Sequence, residues 1–283
     1  MKRNNNMEIS AIAQQRIRVI TSSDGQDAED DLAVEEPLEI QLAFAESGKK
    51  IKKSISVTMR TPGDDDELAV GFLFTEGIIT EKSQVKAVET DVLDENKVIV
   101  NLAHDFVPEI NSLERNFYTT SSCGVCGKAS IDAIKTVSVY QNEDNALLVT
   151  KHVIFSLKDK LNVQQNIFES TGGLHASALF DPNGNFITLR EDVGRHNALD
   201  KLIGHALLND LLPLANKILL LSGRASFELI QKAGMAGIKI VAAIGAPSSL
   251  AVKLAEESSI TLIGFLKNDK FNIYSGFDRI SAL

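Results

Sequence analysis

The sequence predicts an α/β protein in which a small α+β domain precedes a three-layer α/β domain. In the second half, short apolar runs typical of strands alternate with single amphipathic helices, a pattern that favours a parallel or mixed sheet with helices on its faces. In the first half, strands with period-two apolar patterning flank one helix. We expect residues 1–33 to form a mobile acidic tail, 34–115 the small domain and 116–283 the α/β domain.

Length and composition narrow the functional classes. A chain of 283 residues with 44% hydrophobic and 24% charged residues can bury a sizeable core. Its net charge of −9 disfavours a general nucleic-acid binder, because affinity for a phosphate backbone comes from clustered Lys and Arg. We find no secretory signal and no stretch apolar enough to span a membrane. We therefore expect a cytoplasmic protein whose partners are neither nucleic acid nor membrane.

The first-half elements follow from local signals. The tail is Asn-rich and then acidic, a composition typical of solvated segments. A turn at 46–49 joins two alternating strands into a hairpin. Asp65 and the two acidic residues after it open a helix at its positive dipole end, and Gly77 ends it. The predicted strands cover residues 38–42, 51–59, 85–88 and 98–102.

The second-half elements are predicted in the same way. The turn at 181–185 contains Pro, Gly and Asn and predicts a hairpin. An amphipathic helix follows it, and strands and helices then alternate. The predicted strands cover 176–180, 186–189, 218–221, 238–244 and 260–266, and the predicted helices cover 197–208, 227–233 and 249–257.

The candidate reactive residues are Cys123 and Cys126, the only two cysteines of the chain. They follow a small polar stretch and precede a helix predicted over residues 129–137. A helix N-terminus and the nearby Lys128 both favour the thiolate, which is the nucleophilic form of cysteine. The glycines beside the cysteines let this loop move and approach a partner closely.

Four interpretations of the cysteine pair compete. A purely structural pair is disfavoured by its polar flanks. Zinc needs four ligands, and the chain has neither a second cysteine pair nor histidines spaced as a pair. A dithiol-disulfide oxidoreductase and a sulfur transferase that carries a persulfide both use such a motif, and the spacing alone does not separate them.

Two loops indicate an anion site. Residues 222–226 and 245–249 each follow a predicted strand and precede a helix, so they lie where ligands of open α/β sheets bind. Backbone N–H groups, hydroxyls and Arg224 would suit a phosphate or pyrophosphate. The alternative for Ser226, Ser248 and Ser249 is ordinary N-capping of the following helices.

Six motifs in this order resemble the formate dehydrogenase accessory sulfurtransferase family, FdhD. The resemblance runs from about Val34 to the C-terminus. The motifs are Thr61-Pro62-Gly63-Asp64-Asp65, Ser122-Cys123-Gly124-Val125-Cys126-Gly127, Thr171-Gly172-Gly173-Leu174-His175, Arg190-Glu191-Asp192-Val193-Gly194-Arg195-His196-Asn197, Ser222-Gly223-Arg224 and Ala246-Pro247-Ser248-Ser249.

The resemblance implies a function and a set of residues. It implies that sulfur passes from a cysteine desulfurase to the molybdenum or tungsten bis-guanine-dinucleotide cofactor of formate dehydrogenase. Cys123 would carry the persulfide and Cys126 would assist. It also implies a homodimer, an α/β domain similar to the cytidine deaminase fold, and no permanently bound metal of the chain's own. The residues expected to hold the cofactor are Arg224, Ser248, Phe265, Leu266, Lys267, Asn268, Asp269 and Lys270.

Two other functions remain open beside this one. The chain could be a dithiol-disulfide oxidoreductase, in which the two cysteines cycle through an internal disulfide. It could also be a non-catalytic protein that shields the cofactor and uses its cysteines only structurally.

Overall fold

A computed structural model describes residues 10–91, 94–108, 138, 140, 147–165 and 171–281. Cys123, Cys126, Lys128 and the helix predicted over 129–137 lie outside these ranges. The strands are β1 Ile12–Ile20, β2 Gly25–Ala33, β3 Glu36–Glu46, β4 Lys49–Arg60, β5 Val85–Asp91, β6 Asp94–Leu102, β7 Val149–Thr150, β8 His175–Phe180, β9 Phe186–Asp192, β10 Ile218–Leu221, β11 Ile240–Ala243, β12 Thr261–Gly264, β13 Asn272–Ser275 and β14 Ile280–Ser281. The helices are α1 Asp65–Thr75, α2 Lys151–Gln164, α3 Arg195–Leu208, α4 Phe227–Met235 and α5 Ser249–Glu257.

A β-hairpin stands where the sequence predicted a mobile tail. β1 and β2 pair antiparallel along their whole length. Arg16 lies opposite Glu29 and Arg18 opposite Asp27, so the basic strand offsets part of the charge of the acidic one. The prediction of a tail is therefore wrong for residues 12–33, because the acidic run has a strand partner that composition alone did not reveal.

The small unit is a four-stranded sheet covered by α1. Its strand order is β4-β3-β6-β5, with β3 and β6 parallel and the other pairs antiparallel. The predicted hairpin, helix and two later strands are confirmed. The helix starts after Asp64, and its first residue, Asp65, accepts two hydrogen bonds from the buried Arg60 at 2.9 and 3.0 Å.

The second unit is a six-stranded mixed sheet in the order β13-β12-β11-β10-β8-β9. β10, β11 and β12 run parallel, and the remaining pairs are antiparallel. Side chains alternate between the two faces of a strand. Ile218 and Leu220 therefore face the core beside α2, and Leu219 and Leu221 face the core that includes α3, α4 and α5. The predicted three-layer α/β architecture is confirmed. The helix α2 was not predicted.

One apolar core joins the two units. Leu38 and Leu73 of the small unit belong to the same buried cluster as Leu202 and Leu219 of the larger one. The predicted boundary at 115/116 falls outside the described residues and stays a prediction. Across it the packing is continuous, so the two halves of the chain stabilise each other.

The backbones of the two units meet at a helix crossing at two glycines. A Cβ atom placed on Gly71 of α1 would lie 1.8 Å from the carbonyl oxygen of Asp200. One placed on Gly204 of α3 would lie 1.8 Å from that of Glu67. These backbones touch directly, and no side chain larger than hydrogen fits between them.

We expect Gly204→Ala to lower the free energy of unfolding by about 3 kcal/mol, because the helices must separate to admit the methyl group. Urea unfolding followed by circular dichroism measures this change.

Gly234→Ala is the matched control. Gly234 lies in α4, and its added Cβ would meet Ile260 at an ordinary 3.7 Å. It should keep or raise stability, by up to about 1 kcal/mol, because alanine favours helix more than glycine does. Equal stability of the two variants would contradict the close helix crossing.

Candidate functional site

One edge of the six-stranded sheet collects the loops that the sequence singled out. The parallel strands β10, β11 and β12 all end there, so the loops after them are neighbours. β8 runs opposite to β10, which brings its first residue, His175, beside Gly223. β9 ends at the same edge with Asp192, opposite His175. We call this region the loop edge.

Backbone hydrogen bonds tie these loops together. Ala225 N–H donates to Ala246 O at 3.2 Å, and Ser248 N–H donates to Ala225 O at 3.0 Å. Gly245 N–H donates to Gly223 O, and Phe265 N–H donates to Gly245 O. The prediction that the loops offer free N–H groups is wrong at these positions. Their N–H groups serve loop-to-loop contacts, so an anion there would depend more on side chains.

The two candidate cap serines behave differently. Ser248 is the N-cap of α5, and its hydroxyl accepts a hydrogen bond from Ala251 N–H at 3.2 Å. Its alternative interpretation as a helix cap is therefore correct. Ser226 precedes α4 but makes no side-chain cap. Its hydroxyl lies 3.3 Å from His196 Nε2 instead.

The segment between β12 and β13, which the resemblance assigns to cofactor binding, forms a turn. Lys267 N–H donates to Lys270 O at 2.8 Å. Phe265 is exposed and has a positive φ of 52°. Four side chains at the tip are exposed, and one of them, Asn268, donates to Asp159 of α2 at 3.1 Å. The exposed tip residues are Lys267, Asn268, Asp269 and Lys270.

Leu266 does not fit its predicted role as a cofactor contact through its side chain. It is fully buried and packs with the apolar cluster on the α2 side of the sheet. The prediction assigned the whole segment 265–270 to cofactor binding, whereas in the structure one core residue lies among exposed ones. Leu266 therefore anchors the turn, and Arg224, Lys267 and Lys270 are the exposed cations of the loop edge.

A cleft of about 480 Å³ opens beside these loops. Among the described residues its polar lining is uncharged at neutral pH, since burial lowers the pKa of His175 below its ordinary 6.5, with Arg195 and His196 adding to the shift. The described lining residues are Asn162, Gln165, Gly172, Gly173, Leu174, His175, Ser222 and Ile244. Amides, a neutral imidazole and a hydroxyl suit a neutral, hydrogen-bonding ligand group.

His196 and Glu228 form a partly buried pair at the same edge. His196 Nε2 lies 3.3 Å from Glu228 Oε2, and both side chains are less than one fifth exposed. The hydrogen bond from His196 lowers the pKa of Glu228 to about 2. His196 belongs to the 190–197 motif, and the structure gives it a carboxylate partner.

Sequence reasoning missed the structural role of Asp192. This fully buried carboxylate accepts hydrogen bonds from the N–H groups of Thr61 and Gly194 and lies 2.9 Å from Lys201 Nζ. Burial raises its pKa, and Lys201 opposes that rise. Two of the six motifs therefore meet at one ion pair. A lysine on the buried face of a predicted helix was the available signal.

Fold and site together define an α/β protein whose cationic loops converge at one sheet edge beside a neutral polar cleft. The chain belongs to the FdhD/NarQ family, whose model matches residues 33–281.

Full-length relatives agree with this assignment. The chain is 48% identical over 278 residues to the sulfur carrier protein FdhD of Streptomyces coelicolor, covering 94% of this chain and 95% of that one. It is 44% identical over 265 residues to the protein of the same name from Picrophilus torridus, covering 93% and 96%. A solved structure from Desulfotalea psychrophila, assigned as a formate dehydrogenase accessory protein, superposes with a TM-score of 0.72 at 22% identity, covering 96% of this chain and all of that one.

Within the described part of the chain, no helix combines the length and apolar character needed to cross a bilayer.

We expect the pair of Glu228 and His196 to stabilise the fold in a pH-dependent way. The folded pKa of Glu228 is below its ordinary 4.5, so its contribution is present above about pH 4.5 and lost as the pH falls toward 2. Glu228→Gln should cost about 1 kcal/mol at pH 6, allowing for solvent screening. That cost should shrink by pH 3, as measured by urea unfolding.

Glu256→Gln, which removes an exposed carboxylate of α5, is the control for the change in net charge. A cost for Glu228→Gln that stays constant from pH 6 to pH 3 would contradict the charged pair.

Proposed function

We propose that this chain is a sulfur transferase that carries persulfide sulfur on Cys123. The observation that carries the proposal is its similarity, over nearly the whole length, to relatives named sulfur carrier proteins. Its only two cysteines stand three residues apart in a segment whose sequence favours a reactive thiolate. The cysteines lie outside the described residues, so this support comes from sequence and relationship.

The capture step balances without an added oxidant. The Cys123 thiolate attacks the outer sulfur of a persulfide held by a cysteine desulfurase. The S–S bond of the donor breaks, the donor cysteine leaves as a thiolate, and Cys123 now holds the persulfide. A thiolate rather than a thiol is needed, which is why a helix N-terminus and Lys128 next to this loop would assist.

Delivery places the sulfur on an acceptor held at the loop edge. If Cys126 attacks the inner sulfur of the persulfide, the outer sulfur leaves as sulfide and the two cysteines form a disulfide, which a cellular thiol must then reduce. Direct transfer without Cys126 is the other route. The two routes differ in whether a Cys123–Cys126 disulfide accumulates.

The acceptor we propose is the molybdenum or tungsten bis-guanine-dinucleotide cofactor, as a substrate. Arg224, Lys267 and Lys270 are exposed cations that match its pyrophosphates, and Ser248 flanks them at the start of α5. The neighbouring cleft offers amide and hydroxyl groups that suit a guanine edge. Phe265, Asn268 and Asp269 present further exposed contacts on the same turn.

The proposal includes partners and a compartment. A cysteine desulfurase supplies the sulfur, and formate dehydrogenase receives the completed cofactor. We propose that the chain works in the cytoplasm, because it must reach both the sulfur donor and the enzyme being assembled. We also propose that it is a homodimer, as the resemblance implies.

We expect the full chain to gain the mass of one sulfur after incubation with a cysteine desulfurase and cysteine. Intact-protein mass spectrometry measures the gain, and treatment with dithiothreitol should remove it. Cys123→Ala should abolish it, because the attacking thiolate is absent.

Cys126→Ala is the matched variant, since it also removes one of the two cysteines, and it should still take up sulfur. A chain that only cycles an internal disulfide, with no sulfur adduct, supports an oxidoreductase instead. If Cys123→Ala still activates formate dehydrogenase, a shielding protein is the better explanation.

We expect Lys267→Ala/Lys270→Ala to bind GDP about tenfold more weakly, because two charge-assisted contacts to phosphate are lost. Isothermal titration calorimetry at low salt measures the affinity. Lys86→Ala/Lys253→Ala, which removes two exposed lysines of β5 and α5, controls for the two lost positive charges. Equal affinity of all three proteins for GDP would place the nucleotide away from this turn.

A further inference from the structure

The N-terminal hairpin projects from the body with both faces largely open to solvent. Along β1 and β2 most residues are exposed and none is buried. In the described part of the chain, β2 pairs only with β1, and no ladder joins this hairpin to another sheet. A two-stranded hairpin alone is marginally stable in water. This one therefore has a surface and a strand edge that suit a partner.

The outer strand of the hairpin presents carboxylates on one face. Asp27, Glu29 and Asp31 occupy alternate positions of β2, so they point to the same side. Arg16 and Arg18 of β1 lie opposite Glu29 and Asp27, so they offset two of these three carboxylates and leave the face with a net negative charge. The partner edge should therefore be basic.

Such an edge exists on the same chain. β4 is the terminal strand of the four-stranded sheet, and among the described strands it pairs only with β3. Lys50 and Lys52 occupy alternate positions on its exposed face. Lys52 also lies 3.8 Å from Asp91, an exposed ion pair that contributes little.

We propose that β2 of one protomer pairs edge to edge with β4 of a second copy. In antiparallel register, opposing Glu29 to Lys52 also opposes Asp31 to Lys50, because residues two apart share a face. A two-fold axis repeats the contact, so each protomer gives its hairpin and receives one. This inference deepens the homodimer proposed above and assigns it an interface.

Lysines on an edge strand have another common role. They discourage edge-to-edge pairing of like strands and so limit aggregation. The two roles are compatible for a strand that rejects another lysine edge and accepts an acidic one. They predict different outcomes when the charges are reversed.

The test is a charge swap in the full chain, followed by analytical ultracentrifugation at 50 and 500 mM NaCl. The unmodified chain should dimerise, and more weakly at high salt because the charges are screened. Glu29→Lys/Asp31→Lys and Lys50→Glu/Lys52→Glu should each weaken the dimer at least about tenfold. The chain carrying all four substitutions should return to within about threefold of the unmodified affinity.

The control variant Asp30→Lys/Glu35→Lys changes the net charge equally. Asp30 lies on the other face of β2 and Glu35 lies outside the strand, so this variant should dimerise normally. Thermal unfolding checks that each variant is folded. The proposal is overturned if the unmodified chain is monomeric, if the reversals leave its affinity unchanged, or if the combined variant fails to recover. Sulfur uptake by Cys123, measured on the same proteins, tests the proposed function separately.

Discussion

The contact on which the rest of this structure depends is the crossing of α1 and α3 at Gly71 and Gly204. Their backbones touch, so the small unit and the six-stranded sheet are held at one fixed separation. Two buried ion pairs flank the crossing. Lys201 of α3 meets Asp192, and Lys232 of α4 lies 2.9 Å from both carboxylate oxygens of Asp200. Removing one partner of either pair would leave a buried charge uncompensated.

This crossing also determines where the chemistry can occur. α3 begins at the loop edge, so the helix that contacts α1 also places His196 beside Ser226 and Glu228. The loops beside it are joined by backbone hydrogen bonds and have little freedom to rearrange. A rigid loop edge would suit the proposed function, because an acceptor held there would keep its position while sulfur is delivered to it.

Local patterns predicted the elements but not their long-range contacts. The strand at 218–221 and the helix at 249–257 match their predicted limits, because periodicity and helix signals are local. The hairpin of β1 and β2 was missed because its pairing depends on cross-strand partners. The burial of Leu266 was missed because a family segment does not say which residues face the core. The predicted cysteine site stays a prediction from sequence.

Four of the six motifs of the resemblance fall into two physical roles. Thr61 and the segment from Arg190 to Asn197 meet at the buried Asp192, where they connect the two units. Ser222–Arg224 and the Ala246 motif lie at the loop edge, where three exposed cations gather. A motif can therefore identify the family without contacting a ligand. The first group acts by connecting the two units, and a search for catalytic residues should begin with the second group and the cysteine segment.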